Sequence, residues 1–277
     1  MISDSSRVGV VFSSGFFGFF AHAGFLAALR QLGVKPCVYA GSSSGAIVAA
    51  MAASGVSDRT IREMLFCLRK EDFWDPDPWY YLTGQVLRLF KGYSGYLRGN
   101  GFARLLGKLP VKRIEDLKIP LAIIATNLTD KKETVFKNGD LIRAVQASGA
   151  VPMLFKPVRI DGSLYVDGGV TNKAPVKALA DLVEVDKIIV HFISSGNLEE
   201  GHGFLGKRMT PWHIHHLAVN IARQEAYQRQ LEIVRKRGVE IIEVKTDAEA
   251  LSPNRLYKGP GAYDTANTAT LNTNLFR

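Results

Sequence analysis

The sequence predicts an α/β protein: a three-layer α/β/α domain built on a mainly parallel central sheet. Two observations carry this. Short β-branched runs alternate along the chain with stretches of helical periodicity, and those runs are apolar nearly throughout, as strands covered on both faces must be. A chain of 277 residues, 47% hydrophobic and 22% charged, can bury a large core, and no segment has the charge excess or low complexity of a disordered one. One domain over residues 1–277 is the expectation, with no evident linker.

Taken in order, RVGVVFS (7–13) reads as a strand entering a glycine-bearing loop, and Ala21 to Leu32 then carry apolar residues at helical spacing. PCVYA (36–40) reads as a second strand, followed by Gly41-Ser42-Ser43-Ser44-Gly45 and an Ala-rich helix that can stop at Gly55. Residues 64–110 are rich in aromatics and punctuated by Pro and Gly, which marks an insertion in the regular alternation. That alternation returns with the strand LAIIATNLT (121–129), a hairpin through ETVFKNG and a helix over 140–148. A second hairpin turns at Asp161-Gly162. A helix near 174–183, the strand KIIVHFIS (187–194), a long helix over 212–237 and the strand VEIIEV (239–244) complete the pattern. Residues after 247 are polar and weakly patterned, and read as a surface-packed tail.

Composition narrows the function classes. Lys and Arg outnumber Asp and Glu by 35 to 26, a formal charge of +9 that favours anionic partners such as acidic lipid headgroups or nucleic acid. The basic residues are scattered, however, and no RNA- or DNA-binding motif occurs, so no nucleic-acid partner is expected. Cys37 and Cys67 form neither a metal spacing nor a disulfide framework, and read as buried thiols in a reducing compartment. No metal or cofactor is expected. The first residues lack the basic start of a secretory signal, and no run approaches the roughly 18 apolar residues of a membrane span. The expectation is a cytoplasmic protein, with peripheral membrane contact as an option and the oligomeric state left open.

Chemistry enters with Gly41-x-Ser43-x-Gly45. It falls between a strand and a helix, the context in which this pattern forms a nucleophile elbow. The turn is so tight that side chains at Gly41 and Gly45 would meet the neighbouring strand and helix. Ser43 would then stand at a helix N-terminus, where backbone N–H groups favour developing negative charge. The plainer reading is a Ser-rich turn that caps the helix. A serine nucleophile needs a base within reach, and Asp167, in Asp167-Gly168-Gly169 directly after a strand, is the best candidate. The two glycines let that backbone approach another loop closely.

Three stretches now combine: Gly41-Ser-Ser-Ser-Gly45-Ala46, Ala147-Ser-Gly-Ala-Val-Pro152-Met-Leu-Phe155-Lys-Pro157-Val158, and Asp167-Gly-Gly-Val-Thr-Asn172-Lys-Ala-Pro175-Val176. Together they resemble the patatin-like phospholipase family, in its order and at about its spacing, over Arg7 to Ile193. The resemblance implies the family's three-layer fold and a Ser/Asp dyad without a catalytic histidine, with Ser43 as nucleophile and Asp167 as general base. It also implies an oxyanion hole in the loop after the first strand, where the family usually has Gly-Gly-Gly-x-Arg/Lys-Gly. This chain has Ser14-Gly15-Phe16-Phe17-Gly18-Phe19 instead, so the backbone N–H groups of Gly15 and Phe16 are the candidates. Phe16, Phe17, Phe19 and Phe20 could line an acyl-chain pocket or be ordinary core.

With that resemblance the chain is expected to be a serine esterase of phospholipase A type, taking a fatty acyl ester or phospholipid through an acyl-enzyme on Ser43. The alternative is a lipid-binding or regulatory relative with weak catalysis, motivated by the altered loop. A dinucleotide-binding enzyme is discounted, because Tyr39-Ala40 leads straight to Gly41 with no acidic residue ending the second strand. His22 reads as packing at a helix start, and His191 is the histidine placed to serve a Ser-Asp-His triad. Trp79, Leu82, Val86 and Phe90 fall near one helical face beside Arg88 and Lys91, which suggests a mobile lid over 73–100 that meets lipid.

Overall fold

A computed structural model describes residues 6–76, 94–194, 211–247, 251–273 and 275. Its strands are β1 (Val8–Phe12), β2 (Val38–Ser42), β3 (Leu121–Asn127), β4 (Lys132–Phe136), β5 (Val158–Ile160), β6 (Ser163–Asp167), β7 (Lys187–Ser194) and β8 (Glu240–Asp247). Among the described residues these eight form one sheet in the order β5-β6-β3-β2-β1-β7-β8, with β4 added on β3. The run from β3 to β8 is parallel, whereas β4, β5 and β6 pair antiparallel. The expected mainly parallel α/β sheet is therefore present.

The register at β3 positions the site. β2 pairs with Leu121–Ile124, β6 with Ala125–Asn127, and β4 overlaps both by pairing with Ile123–Asn127. Each edge of a strand takes one partner per residue, so β4 has one edge of β3 to itself. β2 and β6 must then share the other edge, running toward each other and stopping head to head: Ser42 lies opposite Ile124, and Asp167 opposite Ala125.

Side chains alternate between two cores, as the period of two in a strand requires. Val8, Val10 and Phe12 of β1 pack with α1 (Phe19–Gln31), α2 (Ser44–Ala53) and α3 (Asp58–Phe66). Val11 faces the other layer, formed by a short helix at Val176–Ala180 and the long helix Pro211–Arg235, which supplies Tyr227, Leu231 and Val234. All ten residues of α2 are buried. Its small Ala side chains let it approach the sheet closely on every side.

Two expectations need correction. The tail is not merely surface-packed: residues Gly259–Leu271 form a helix that buries Ala262, Tyr263, Ala266 and Thr270, docked on α1 where Asn267 Nδ2 donates to Gly24 O at 3.1 Å. Small residues every four positions make a close helix contact while registering weakly as hydrophobic, which is why the pattern looked polar. Phe73, Leu97, Leu105 and Leu106, on the flanks of the 64–110 stretch, are buried, so those flanks pack into the core. Cys67 is exposed and Cys37 half-buried, because Cys67 ends α3 at the surface. The lid helix around Trp79 to Lys91 falls within residues 77–93, outside the described residues. Among the described residues no helix is long and apolar enough to cross a membrane.

The α1 contact is testable. A Cβ on Gly24 would run into the carbonyl of Tyr263, which is backbone and cannot swing away. Gly24→Ala is expected to lower stability by about 2 kcal/mol, as overpacking does, read as a lower midpoint in urea denaturation. An unchanged midpoint would mean that the terminal helix does not dock there.

Candidate active site

Ser43 follows the last residue of β2 and precedes α2, at φ 55° and ψ −123°. A residue with a Cβ at positive φ costs roughly 1–2 kcal/mol, so the surroundings must hold it there. A Cβ on Gly41 would lie 2.6 Å from the carbonyl oxygen of Gly45, and one on Gly45 would meet the carbonyl oxygens of Phe12 and Ser13. These are the collisions expected of a nucleophile elbow. The Ser43 N–H donates to Ser148 Oγ at 2.9 Å, which fixes the turn from the side.

Asp167 meets this serine. Ser43 Oγ–H donates to Asp167 Oδ2 at 2.6 Å, and the N–H of Gly169 donates to Asp167 Oδ1 at 2.7 Å. Thr126 Oγ1 donates to the Asp167 carbonyl, and the Asp167 N–H to Ala150 O, so both side chain and backbone are fixed. The two glycines allow the approach: a Cβ on Gly168 would strike the Ile124 carbonyl, and one on Gly169 would sit 2.7 Å from Ser14 Cβ. Burial raises the Asp167 carboxyl to about 6, against the Ser43 and Gly169 hydrogen bonds and the positive charge of Arg223, which pull it down. Arg223, on the long helix, donates from Nη1 to the Gly169 carbonyl at 2.7 Å.

The loop after β1 runs alongside. Gly18 N–H donates to Gly15 O at 3.1 Å and Phe17 takes φ 51°, which closes a tight turn. The N–H groups of Gly15 and Phe16 donate to no acceptor among the described residues. Gly15, Phe16, Ser43 and Ser44 line one apolar pocket, which continues between Phe17, Phe19, Leu65, Leu105, Leu154 and Phe155. Phe20 instead belongs to the core.

Neither histidine reaches the pair. His22 and His191 face each other with Nδ1 to Nδ1 at 2.7 Å; His22 Nε2 meets Ser13 O at 2.8 Å and His191 Nε2 meets Thr246 Oγ1 at 2.9 Å. With both His191 nitrogens engaged away from Asp167, no Ser-Asp-His triad forms. His22 is more than packing at a helix start, being hydrogen-bonded through both nitrogens. Burial lowers His22 to about 3, and burial followed by His22 lowers His191 as well, so both rings are neutral. Among the described residues no cluster of His, Cys, Asp and Glu could hold a metal ion.

Residues 10–180 match the family model of the patatin-like phospholipases. The chain belongs to the patatin-like phospholipase family. It is 33% identical over 184 residues to an uncharacterised NTE family protein of Mycobacterium tuberculosis, covering 64% of this chain and 47% of that one. It is 27% identical over 247 residues to patatin-like phospholipase domain-containing protein 6 of Mus musculus, covering 84% of this chain and 17% of the other. Lysophospholipase NTE1 of Meyerozyma guilliermondii is 26% identical over 180 residues, covering 64% of this chain and 12% of the relative. The matched region thus spans about half the length of the mycobacterial relative and less of the others.

Sequence reasoning brought together Ser43, Asp167, Gly15, Phe16 and the four glycines, and missed three neighbours. Ser148 lies inside the Ala147–Val158 stretch already singled out, so its signal was available. Ser44, as the first residue of α2, has an N–H with no intrahelical acceptor, which follows from its position directly after Ser43. Arg223 carried no signal, being one basic residue among several on a long helix.

An ionised carboxylate in this site is costly. A folded pKa near 6, against an ordinary 3.8, means that the folded state holds the proton more tightly, so stability is lost as pH rises through 6. Asp167→Asn can still accept from Gly169 N–H through Oδ1 and, with the direction of the other bond reversed, donate from Nδ2 to Ser43 Oγ, without the charge. It is expected to be more stable than the parent at pH 8, by up to about 3 kcal/mol, with the gain vanishing near pH 4. Thermal melts of both proteins at each pH cancel the acid response of the histidines; an Asn variant less stable at pH 8 would contradict the burial argument.

Proposed function

We propose that the chain is a serine hydrolase of fatty acyl esters, phospholipase A-like, in which Ser43 is the nucleophile and Asp167 the general base. The observation that supports this most is the 2.6 Å contact between Ser43 Oγ and a buried carboxylate that burial has made more basic. Ser43 Oγ attacks the ester carbonyl while its proton passes to Asp167 Oδ2. The N–H groups of Gly15 and Phe16, supplemented by that of Ser44, receive the oxyanion. Collapse expels the alcohol, which takes the proton from Asp167 and leaves an acyl-enzyme. Water then attacks the acyl carbon as Asp167 accepts its proton, and the Ser43 Oγ–acyl bond breaks as Asp167 passes that proton to Oγ, which frees the fatty acid and restores Ser43.

The apolar pocket beginning at Ser43 suits an acyl chain, and the relatives named phospholipase and lysophospholipase point to the same substrate class. The binding-only reading rested on the altered loop. Two N–H groups on that loop free of internal acceptors, beside a formed Ser–Asp contact, favour catalysis over it.

The test is hydrolysis of p-nitrophenyl butyrate and of a lysophospholipid by wild type, Ser43→Ala and Asp167→Asn. Both variants are expected to lose at least about 1000-fold in kcat. Because the base must be ionised, wild-type kcat/KM should fall as pH drops through about 6 and level off above it. Comparable hydrolysis by either variant would remove the dyad, and a profile centred near pH 4 would remove the role given to burial.

A further inference from the structure

We infer that the buried His22–His191 pair positions the oxyanion loop, acting through the carbonyl of Ser13; this rests on the hydrolase reading of Ser43. Protons along the chain of contacts can be assigned by elimination. Ser13 O only accepts, so His22 Nε2 carries the hydrogen that meets it at 2.8 Å. A neutral His22 then has a bare Nδ1, which accepts from His191 Nδ1–H at 2.7 Å. His191 Nε2 is bare in turn and accepts from Thr246 Oγ1–H at 2.9 Å. Every ring nitrogen is satisfied, in one arrangement only.

All three side chains are buried, and the rings are held as well as bonded. Phe25 stacks on His191 at 4.3 Å between ring centres and 2° between planes, and Phe12 meets His22 edge-on. A less polar triplet would fill this space without the need to satisfy five polar atoms. What the polar version adds is a donor aimed at Ser13 O.

That carbonyl stands one peptide before the candidate oxyanion donors. The Ser13–Ser14 peptide is gripped on both sides: its carbonyl by His22, and its N–H, on Ser14, by Lys173 O at 2.7 Å. The N–H groups of Gly15 and Phe16 follow directly. With the peptide plane clamped, the direction of the next N–H vectors is set before any substrate arrives, which is the preorganisation that oxyanion stabilisation requires. His22 and His191 are thus positioning residues that never touch substrate.

The experiment measures kcat, KM and melting temperature on p-nitrophenyl butyrate for wild type, Ser43→Ala, His22→Leu, His22→Gln and the double variant His22→Leu/His191→Leu. His22→Leu should lose about 10- to 100-fold in kcat with KM within about threefold, together with some stability. His22→Gln, whose amide can still donate to Ser13 O, should recover most of the kcat. The double variant removes the orphaned ring, so its melting temperature should rise above that of His22→Leu while its kcat stays low. The affinity of an alkyl trifluoromethyl ketone, which forms a tetrahedral adduct, should weaken in step with kcat/KM. The inference is overturned if kcat follows melting temperature back up in the double variant, if His22→Leu keeps wild-type kcat, or if Gln restores nothing that Leu lost. Hydrolysis persisting in Ser43→Ala would sink the underlying hydrolase reading, an outcome distinct from any of these.

Discussion

Two strands that end head to head on one edge of a third set everything else at the site. β2 climbs β3 as a parallel partner and stops at Ser42, while β6 descends the same edge as an antiparallel partner and stops at Asp167. The junction falls between Ile124 and Ala125, so two residues 124 positions apart in the chain are delivered to one point without any long loop having to reach there. A slip of one residue in either pairing would turn the delivered side chain to the opposite face of the sheet. β4, lying along the free edge of β3, braces the strand that carries both partners.

Close approach of these ends has to be permitted as well as directed. The glycines at 41, 45, 168 and 169 each stand where a Cβ would enter a neighbouring backbone or side chain. Local strain and buried charge then accumulate together: a left-handed φ at Ser43, another at Phe17, and a carboxylate closed off from water. Ser148, Thr126, Ala150 and Gly169 tie down the strained pieces by hydrogen bonds. The surrounding structure, with its fully buried α2 and two separate hydrophobic layers, offsets a locally unfavourable arrangement, as is common where chemistry needs a preset geometry.

How much of this was legible depended on whether the signal was local. The elbow could be read because Gly41, Ser43 and Gly45 sit within five residues between a strand and a helix, and β7 because KIIVHFIS is mostly β-branched and apolar. Asp167 was legible through its own two glycines together with motif order. The head-to-head junction was not, since strand pairing across β3 leaves no mark in any one segment. The terminal helix escaped for a different reason: Ala262, Ala266 and Thr270 achieve burial through smallness rather than hydrophobicity. The histidine pair was invisible because its four residues come from the loop after β1, from α1, β7 and β8, and each alone reads as an ordinary core or cap residue.

The central claim is that the hydroxyl of residue 43 is the activated group of this fold. Its most direct measurement is reaction of the purified protein with an alkyl fluorophosphonate, followed by peptide mass spectrometry to locate the adduct. A single covalent phosphonate on Ser43 is expected, formed at a rate that falls when Asp167 is replaced by Asn. A modification on any other serine, or no modification under conditions where the protein hydrolyses esters, would contradict it.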